Sequence, residues 1–357
     1  MDKIIEKWDD LDINVNLLKG IYSCGFENPS EIQKKSIPVL LNKRDIIAQA
    51  QSGMGKTGAF SIGTLDLIDI EKSKVQALIL APTHELAKQI YNVIHMLSSY
   101  MNGLRIKIMI GGSSIQSDTE DIKNNCPHII IGCAGRVYDM FRRKYLSGKD
   151  IKILVLDEAD EMLSNGFKET IYNIFQYINE NVQVALFTAT LPPEILELTK
   201  KFMRNPVNFT METENLSLEA ITQYYVAVRH DADKYDTLKD LFSALSVSQC
   251  IIYCNSIHRV SDLYKAMIEE GYSVCYIHSS MDKLDREREF KNFKLGSYRV
   301  MISTDITARG IDIQQVSTVI NFDITRDPHK YLHRIGRSGR WGRKGMAINF
   351  VTKHDID

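Results

Sequence analysis

Short apolar runs rich in β-branched residues recur along the chain, each followed by a turn and then a helical pattern. In the first half they fall at residues 45–49, 77–81, 106–110, 128–132, 153–156 and 182–187. Their hydrophobicity is continuous rather than alternating. That predicts strands covered on both faces, hence a mainly parallel sheet flanked by helices. The pattern pauses at Thr210-Met211-Glu212-Thr213-Glu214-Asn215-Leu216-Ser217, a polar and acidic stretch suited to a linker. It resumes at 221–228, 250–254, 273–278, 300–303, 316–321 and 346–351. The expected organisation is α/β, with domains at 1–209 and 221–357 and a short linker at 210–220. The halves are alike in architecture, without a short-period repeat.

Length agrees, since 357 residues make about two domains at ~150 residues each. A formal net charge of -1 provides no global basic field, so any nucleic-acid surface has to be local. The six cysteines form no CxxC pair and no zinc spacing, which fits reduced thiols inside a cell. Nine histidines likewise show no metal spacing. The N-terminus lacks a signal-peptide core, and no apolar run approaches the ~18 residues of a membrane span. The expectation is a soluble intracellular protein, cytoplasmic in the first instance with the nucleus left open, and monomeric by default.

Two motifs carry phosphate chemistry. Ala50-Gln51-Ser52-Gly53-Met54-Gly55-Lys56-Thr57 follows a predicted strand end and leads into a helix. Gly53 and Gly55 let backbone N–H groups approach phosphate oxygens, and the helix N-terminus favours their charge. Lys56 would hold the β- and γ-phosphates, while Ser52 lies in the same loop and Thr57 would ligate magnesium. Its first position is alanine, so this run alone could also be a glycine-rich turn. Asp157-Glu158-Ala159-Asp160 directly follows the apolar run 153–156. Asp157 would hold magnesium through water, and Glu158 would orient the attacking water. By itself the acidic run serves equally well as a helix cap. The glycine loop upstream tilts the reading toward a nucleotide site. A third stretch, His333-Arg334-Ile335-Gly336-Arg337-Ser338-Gly339-Arg340, reads alone as a solvated basic run or a phosphate patch.

With Pro82-Thr83-His84-Glu85-Leu86-Ala87-Lys88-Gln89, Gly111-Gly112 and Thr304-Asp305-Ile306-Thr307-Ala308-Arg309-Gly310-Ile311-Asp312, these motifs cover almost the whole chain. The chain resembles the DEAD-box RNA-dependent ATPases, in particular the initiation factor 4A group with its exon-junction relative. The resemblance implies two RecA-like domains, ATP and magnesium as cofactors, and RNA as a partner bound largely without sequence preference. Protein partners are implied too, since little flanking chain is present to supply specificity.

It also assigns residues. Phe26 and Gln33 match the adenine-reading motif, with Trp8 as its upstream aromatic and Asp312 at the ribose. Arg337 and Arg340 would be arginine fingers on the γ-phosphate. Asp160, Thr188, Thr190 and His333 would couple hydrolysis to strand separation. RNA would meet Pro82, Thr83, Glu85, Gly112, Gly135 and Arg136 in the first domain, and Asn255, Arg286, Thr304 and Gly310 in the second. Contacts through glycines and hydroxyls carry little sequence information, and recognition of 2′-hydroxyls would favour RNA over DNA. The implied function is an ATP-dependent RNA helicase that locally opens short duplexes or remodels RNA–protein complexes. The alternative is an ATP-gated RNA clamp held closed by a partner, as in the exon-junction relative; a DNA helicase is disfavoured.

Some positions depart from the family pattern. Cys133-Ala134-Gly135-Arg136 stands where the family has Thr-Pro-Gly-Arg, which predicts weaker RNA contact there. Met54 replaces a threonine, and Lys283 a glutamine. The chain ends at Asp357, where the group runs on into a further helix, so exposed apolar surface is expected near 346–351.

Overall fold

A computed structural model of the chain describes residues 5–51, 53–163, 166–210, 221–244, 248–307, 316–338 and 345–355. The chain divides into two compact units, Met1–Met211 and Glu212–Asp357. The first comprises α1 (Val15–Ser23), α2 (Glu31–Leu41), β1 (Ile46–Gln49), α3 (Lys56–Asp66), β2 (Ala77–Leu80), α4 (His84–Leu97), β3 (Ile106–Met109) and α5 (Ile115–Asn124). It continues through β4 (Ile129–Gly132), α6 (Ala134–Arg142), β5 (Ile153–Asp157), α7 (Ala159–Met162), α8 (Lys168–Phe175), β6 (Gln183–Thr188), α9 (Pro193–Thr199) and β7 (Val207–Thr210).

The seven strands are ordered β3-β4-β2-β5-β6-β1-β7, and every pairing is parallel. The continuous hydrophobicity of the strands has the expected cause. Ile153 and Val155 of β5 face one apolar core while Leu154 and Leu156 face the other, and β2 and β6 divide their side chains in the same way. Strand β7 was not apparent in the apolar pattern, because it is an edge strand whose residues alternate between half-buried and exposed.

The second unit comprises β8 (Ile221–Ala227), α10 (Lys234–Ala244), β9 (Cys250–Tyr253), α11 (Ile257–Glu269), β10 (Val274–Ile277), α12 (Lys283–Lys294), β11 (Val300–Ser303), β12 (Thr318–Asn321), α13 (Pro328–Ile335) and β13 (Gly345–Val351). Its strands, ordered β10-β11-β9-β12-β13-β8, are again all parallel. Strand β13 is mostly buried. Exposed apolar surface near it lies on its neighbour β8, through Tyr224 and Tyr225. Most of the expected linker lies outside the described residues.

A parallel sheet puts all its strand C-termini on one edge, which is where α/β folds place ligand chemistry. In the first unit the loops after β1, β5 and β6 carry the glycine loop, Asp157-Glu158 and Thr188-Ala189-Thr190. The loops after β2, β3 and β4 carry Pro82-Thr83, Gly111-Gly112 and Cys133–Arg136 in turn. Sheet order therefore separates expected nucleotide residues from expected RNA residues along the same edge.

Candidate nucleotide and nucleic-acid site

Gly53 and Gly55 take positive φ values of 88° and 95°, a region open to glycine at little cost. Gly55 is the N-cap of α3, whose first residue is Lys56. The Lys56 side chain turns back over the loop and donates to the Ala50 carbonyl at 2.8 Å. Thr57 follows in the first turn; Ser52 lies outside the described residues.

Gln33 closes on this loop from α2. Its Nε2 donates to the Gly55 carbonyl at 3.2 Å, and its Oε1 accepts from the Ser30 N–H at 2.8 Å. The Ser30 hydroxyl donates to the Met54 carbonyl at 2.8 Å. A Cβ on Gly58 would sit 2.6 Å from Gln33 Nε2, so the bare helix face at Gly58 makes room for the amide. Each end of that amide keeps one further hydrogen-bonding position for a base. Phe26 is half-buried beside it. Trp8, expected as an adenine-side aromatic, is instead wholly buried, its ring centroid 6.5 Å from that of Phe26. It backs Phe26 from within the core, where an indole is worth most as apolar volume.

Asp157 ends β5, and the next residue, Glu158, adopts φ 50° and ψ 53°. A non-glycine residue in this region costs ~1–3 kcal/mol and persists only where its surroundings impose it. The Glu158 N–H donates to Asp157 Oδ1 at 3.0 Å, and Glu158 Oε2 is buried with no hydrogen-bond partner among the described residues. Burial first, and the Glu158 charge second, push the Asp157 carboxyl up to about 7, with Lys56 pulling the other way. A buried carboxylate lacking sufficient positive charge behaves in this way, and a cation would restore its ionisation. Thr57 and Asp157 offer only hard oxygen donors, which fits magnesium.

Asp160, Thr188 and Thr190 form a closed circuit. Thr190 Oγ1 donates to Asp160 Oδ2 at 2.6 Å, the Asp160 N–H to Thr188 Oγ1 at 3.3 Å, and Thr188 Oγ1 to the Thr190 carbonyl at 2.6 Å. These bonds tie the acidic motif to the Thr-Ala-Thr turn.

Among the expected RNA residues, Thr83 caps α4 by accepting from the Leu86 N–H at 3.2 Å, with Pro82 before it and Glu85 in the first turn. Gly112 has φ 79°, and a Cβ there or on Gly135 would meet nothing within 4 Å. Cys133 is buried in the apolar core and makes no side-chain cap bond to α6. The Arg136 guanidinium is engaged within the unit. Its Nη1 donates to Asp118 Oδ2 at 2.6 Å and to Ser113 Oγ at 3.0 Å, and its Nη2 to the Ser113 carbonyl at 2.6 Å. A nearly buried Asp118 and both oxygens of Ser113 satisfy the guanidinium, which a cation taken out of water requires.

In the second unit Thr304 directly follows β11, and Arg286 lies in the first turns of α12. Asn255 follows β9 with its amide committed internally. Its Nδ2 donates to the Ile324 carbonyl at 2.9 Å and its Oδ1 accepts from Arg334 at 2.8 Å. Arg334, fully buried, also donates to Asp305 at 2.6 Å and to the Asp323 carbonyl at 2.7 Å. It ties together the strand ends carrying Asn255 and Thr304. Arg334, Asp305 and Asp118 had no assigned role in the sequence reading. Their work is tertiary, and an acidic residue on an amphipathic helix such as α5 carries no motif. Arg337 follows α13, its Nε donating to the His333 carbonyl at 3.4 Å. Arg340, Asp312 and Gly310 lie outside the described residues, as does the side chain of Lys283.

Residues 30–198 match the family DEAD/DEAH box helicase, and residues 233–342 match the helicase conserved C-terminal domain. The chain belongs to the DEAD/DEAH box helicase family. This DEAD-box helicase is 48% identical to eukaryotic initiation factor 4A of Caenorhabditis elegans over 354 residues, spanning 99% of this chain and 88% of that one. It is also similar to S. cerevisiae Dbp5 bound to RNA and ADP BeF3, with 35% identity, a TM-score of 0.90, and 98% and 90% of the two chains covered. A structure of a Dbp5 variant bound to Nup159, Gle1, IP6 and ADP matches at 34% identity and TM-score 0.68, covering 96% and 90%. The two parallel sheets are thus RecA-like domains, and the enzyme is an RNA-dependent ATPase of the DEAD-box kind. Among the described residues no helix is long and apolar enough to cross a membrane.

Proposed function

We propose that the chain hydrolyses ATP when RNA is bound and uses the cycle to open short duplexes or strip proteins from RNA. The observation that carries this reading is the unit of glycine loop, Gln33, Asp157-Glu158 and the Thr188–Thr190 circuit on one sheet edge, with the open glycines Gly112 and Gly135 along the same edge. Gln33 reads adenine while gripping the loop that holds the phosphates. Lys56 leaves the Ala50 carbonyl to take the β- and γ-phosphates. Glu158 holds the attacking water with the carboxylate oxygen that has no hydrogen-bond partner among the described residues, and accepts its proton. Thr57 and Asp157 would hold magnesium, which neutralises phosphate charge when bound. Arg337 and Arg340 add guanidinium charge to the transferring group.

RNA lies along the loops after β2, β3 and β4, bound through backbone N–H groups and hydroxyls, and in the second unit along Asn255, Arg286, Thr304 and Gly310. Protein partners regulate the cycle, in keeping with the Gle1 and Nup159 assemblies of Dbp5. The likeness to initiation factor 4A supports a cytoplasmic setting over a nuclear one. The clamp reading rests on one stretch, Thr190-Leu191-Pro192-Pro193-Glu194-Ile195-Leu196, which is similar to the exon-junction branch. It predicts slow RNA release with ATP only when a partner is present.

The deciding experiment is steady-state ATPase with single-stranded RNA, with matched DNA at the same salt, and with neither. Stimulation by RNA alone is expected. Equal stimulation by DNA, or none by RNA, overturns the helicase reading.

A further inference from the structure

We propose that Asp118 is a positioning residue for RNA binding, acting by pinning Arg136 onto the loop at residues 111–113. This deepens the RNA-binding reading and rests on it. Asp118 lies on α5 with its side chain 3% exposed, and it bridges two cations. Arg136 approaches Oδ2 at 2.6 Å from α6, and Lys107 approaches Oδ1 at 3.3 Å from β3. Lys107 also pairs with Asp121. Two positive charges thus meet two negative ones, and no net charge is left over for phosphate. The Arg136 side chain is itself only 8% exposed.

What Arg136 does instead is grip Ser113 twice, through its hydroxyl at 3.0 Å and its carbonyl at 2.6 Å. Ser113 immediately follows Gly112, and Arg136 immediately follows Gly135. The grip therefore welds the loop after β3 to the first turn of α6. Both glycines face open space, and the Cys133 side chain leaves the α6 N-terminus without a side-chain cap. The backbone N–H groups of the two segments can then meet successive phosphates as one rigid surface. Asp118 contacts no RNA in this arrangement; it sets the distance between the segments that do.

The test compares wild type with Asp118→Asn, which keeps shape and removes charge. Affinity for a fluorescein-labelled oligouridine is measured with a non-hydrolysable ATP analogue over a salt series, alongside RNA-stimulated ATPase. Asp118→Asn is expected to weaken RNA binding about ten- to thirtyfold. The slope of log affinity against log salt and the KM for ATP should hold, and Asp118→Glu should recover part of the loss. If Arg136 were a phosphate clamp restrained by Asp118, the Asn variant would bind RNA more tightly with a steeper salt slope, and the proposal would fall. Unchanged affinity also overturns it, leaving the RNA-binding reading intact. Wild type that binds no RNA overturns that reading, and this inference with it. Arg136→Lys serves if Asp118→Asn does not fold, since it keeps the charge but loses the double grip on Ser113. It should weaken RNA to the same degree, whereas a direct phosphate contact would tolerate it.

Discussion

Gly58, which has no side chain of its own, is expected to govern nucleotide choice through the Gln33 amide packed against it. In a helix, alanine normally improves on glycine by ~1 kcal/mol. Here the added methyl would fall 2.6 Å from Gln33 Nε2, forcing that amide off the Gly55 carbonyl. Gly58→Ala is expected to raise the KM for ATP about tenfold and erode preference over GTP, without lowering thermal stability. Nucleotide titrations together with a melting curve read both effects. Glu158→Gln should lower kcat by ~10²–10⁴ while ATP still binds, because the amide cannot take the proton. Equal loss of ATP affinity in a binding assay would contradict its role as base.

Individual elements are held by buried polar groups whose cost depends on pH. His128 immediately precedes β4, fully buried, with Nδ1 accepting from the Arg105 N–H at 3.0 Å. Burial first and the Arg105 charge second hold its pKa below the usual histidine value. The folded ring therefore stays neutral where the unfolded chain takes up a proton, so stability falls as pH drops below ~6.5. His278 is depressed by burial in the same direction. Asp157, raised to about 7, acts oppositely: its destabilising charge disappears as pH falls. The His128 contribution is thus read by difference: His128→Gln should flatten the fall in melting temperature between pH 6.5 and 5 relative to wild type. In the second unit, Arg334 binds three strand ends at once. Arg334→Met takes the buried donor from the Asn255 amide and the Asp323 carbonyl, while Asp305, about a third exposed, can turn to water; it should cost ~1–3 kcal/mol in urea unfolding. A loss under ~1 kcal/mol would show that the hub is dispensable.

At the scale of the molecule, a net charge of -1 and the proposed RNA surface of backbone donors predict a shallow salt response. Each phosphate neutralised on a single strand contributes ~0.7 to the salt slope. Arg136 and Arg286 are the described cations among the expected RNA residues, and Arg136 is paired internally, so side chains neutralise at most about two phosphates and the slope should be no steeper than about -1 to -2. A slope beyond about -4 in a fluorescence titration would require a basic surface that this account omits.

Much of this was legible in the chain itself. Continuous apolar runs gave all but one of the strands within a residue or two, because a strand covered on both faces has no polar side to show. The edge strand β7 escaped because it is not so covered. The glycine loop and the acidic motif stood out in the chain because residue types suited to phosphate and magnesium fall there at adjacent positions. Tertiary structure decided what spacing could not carry. It put Trp8 in the core behind Phe26, turned Arg136 inward to Asp118, and spent the Asn255 amide on Arg334 and Ile324. A motif records which residue types a ligand demands. Whether a cation or amide faces that ligand depends on the buried partners offered by distant segments, and only the folded chain brings those partners within reach.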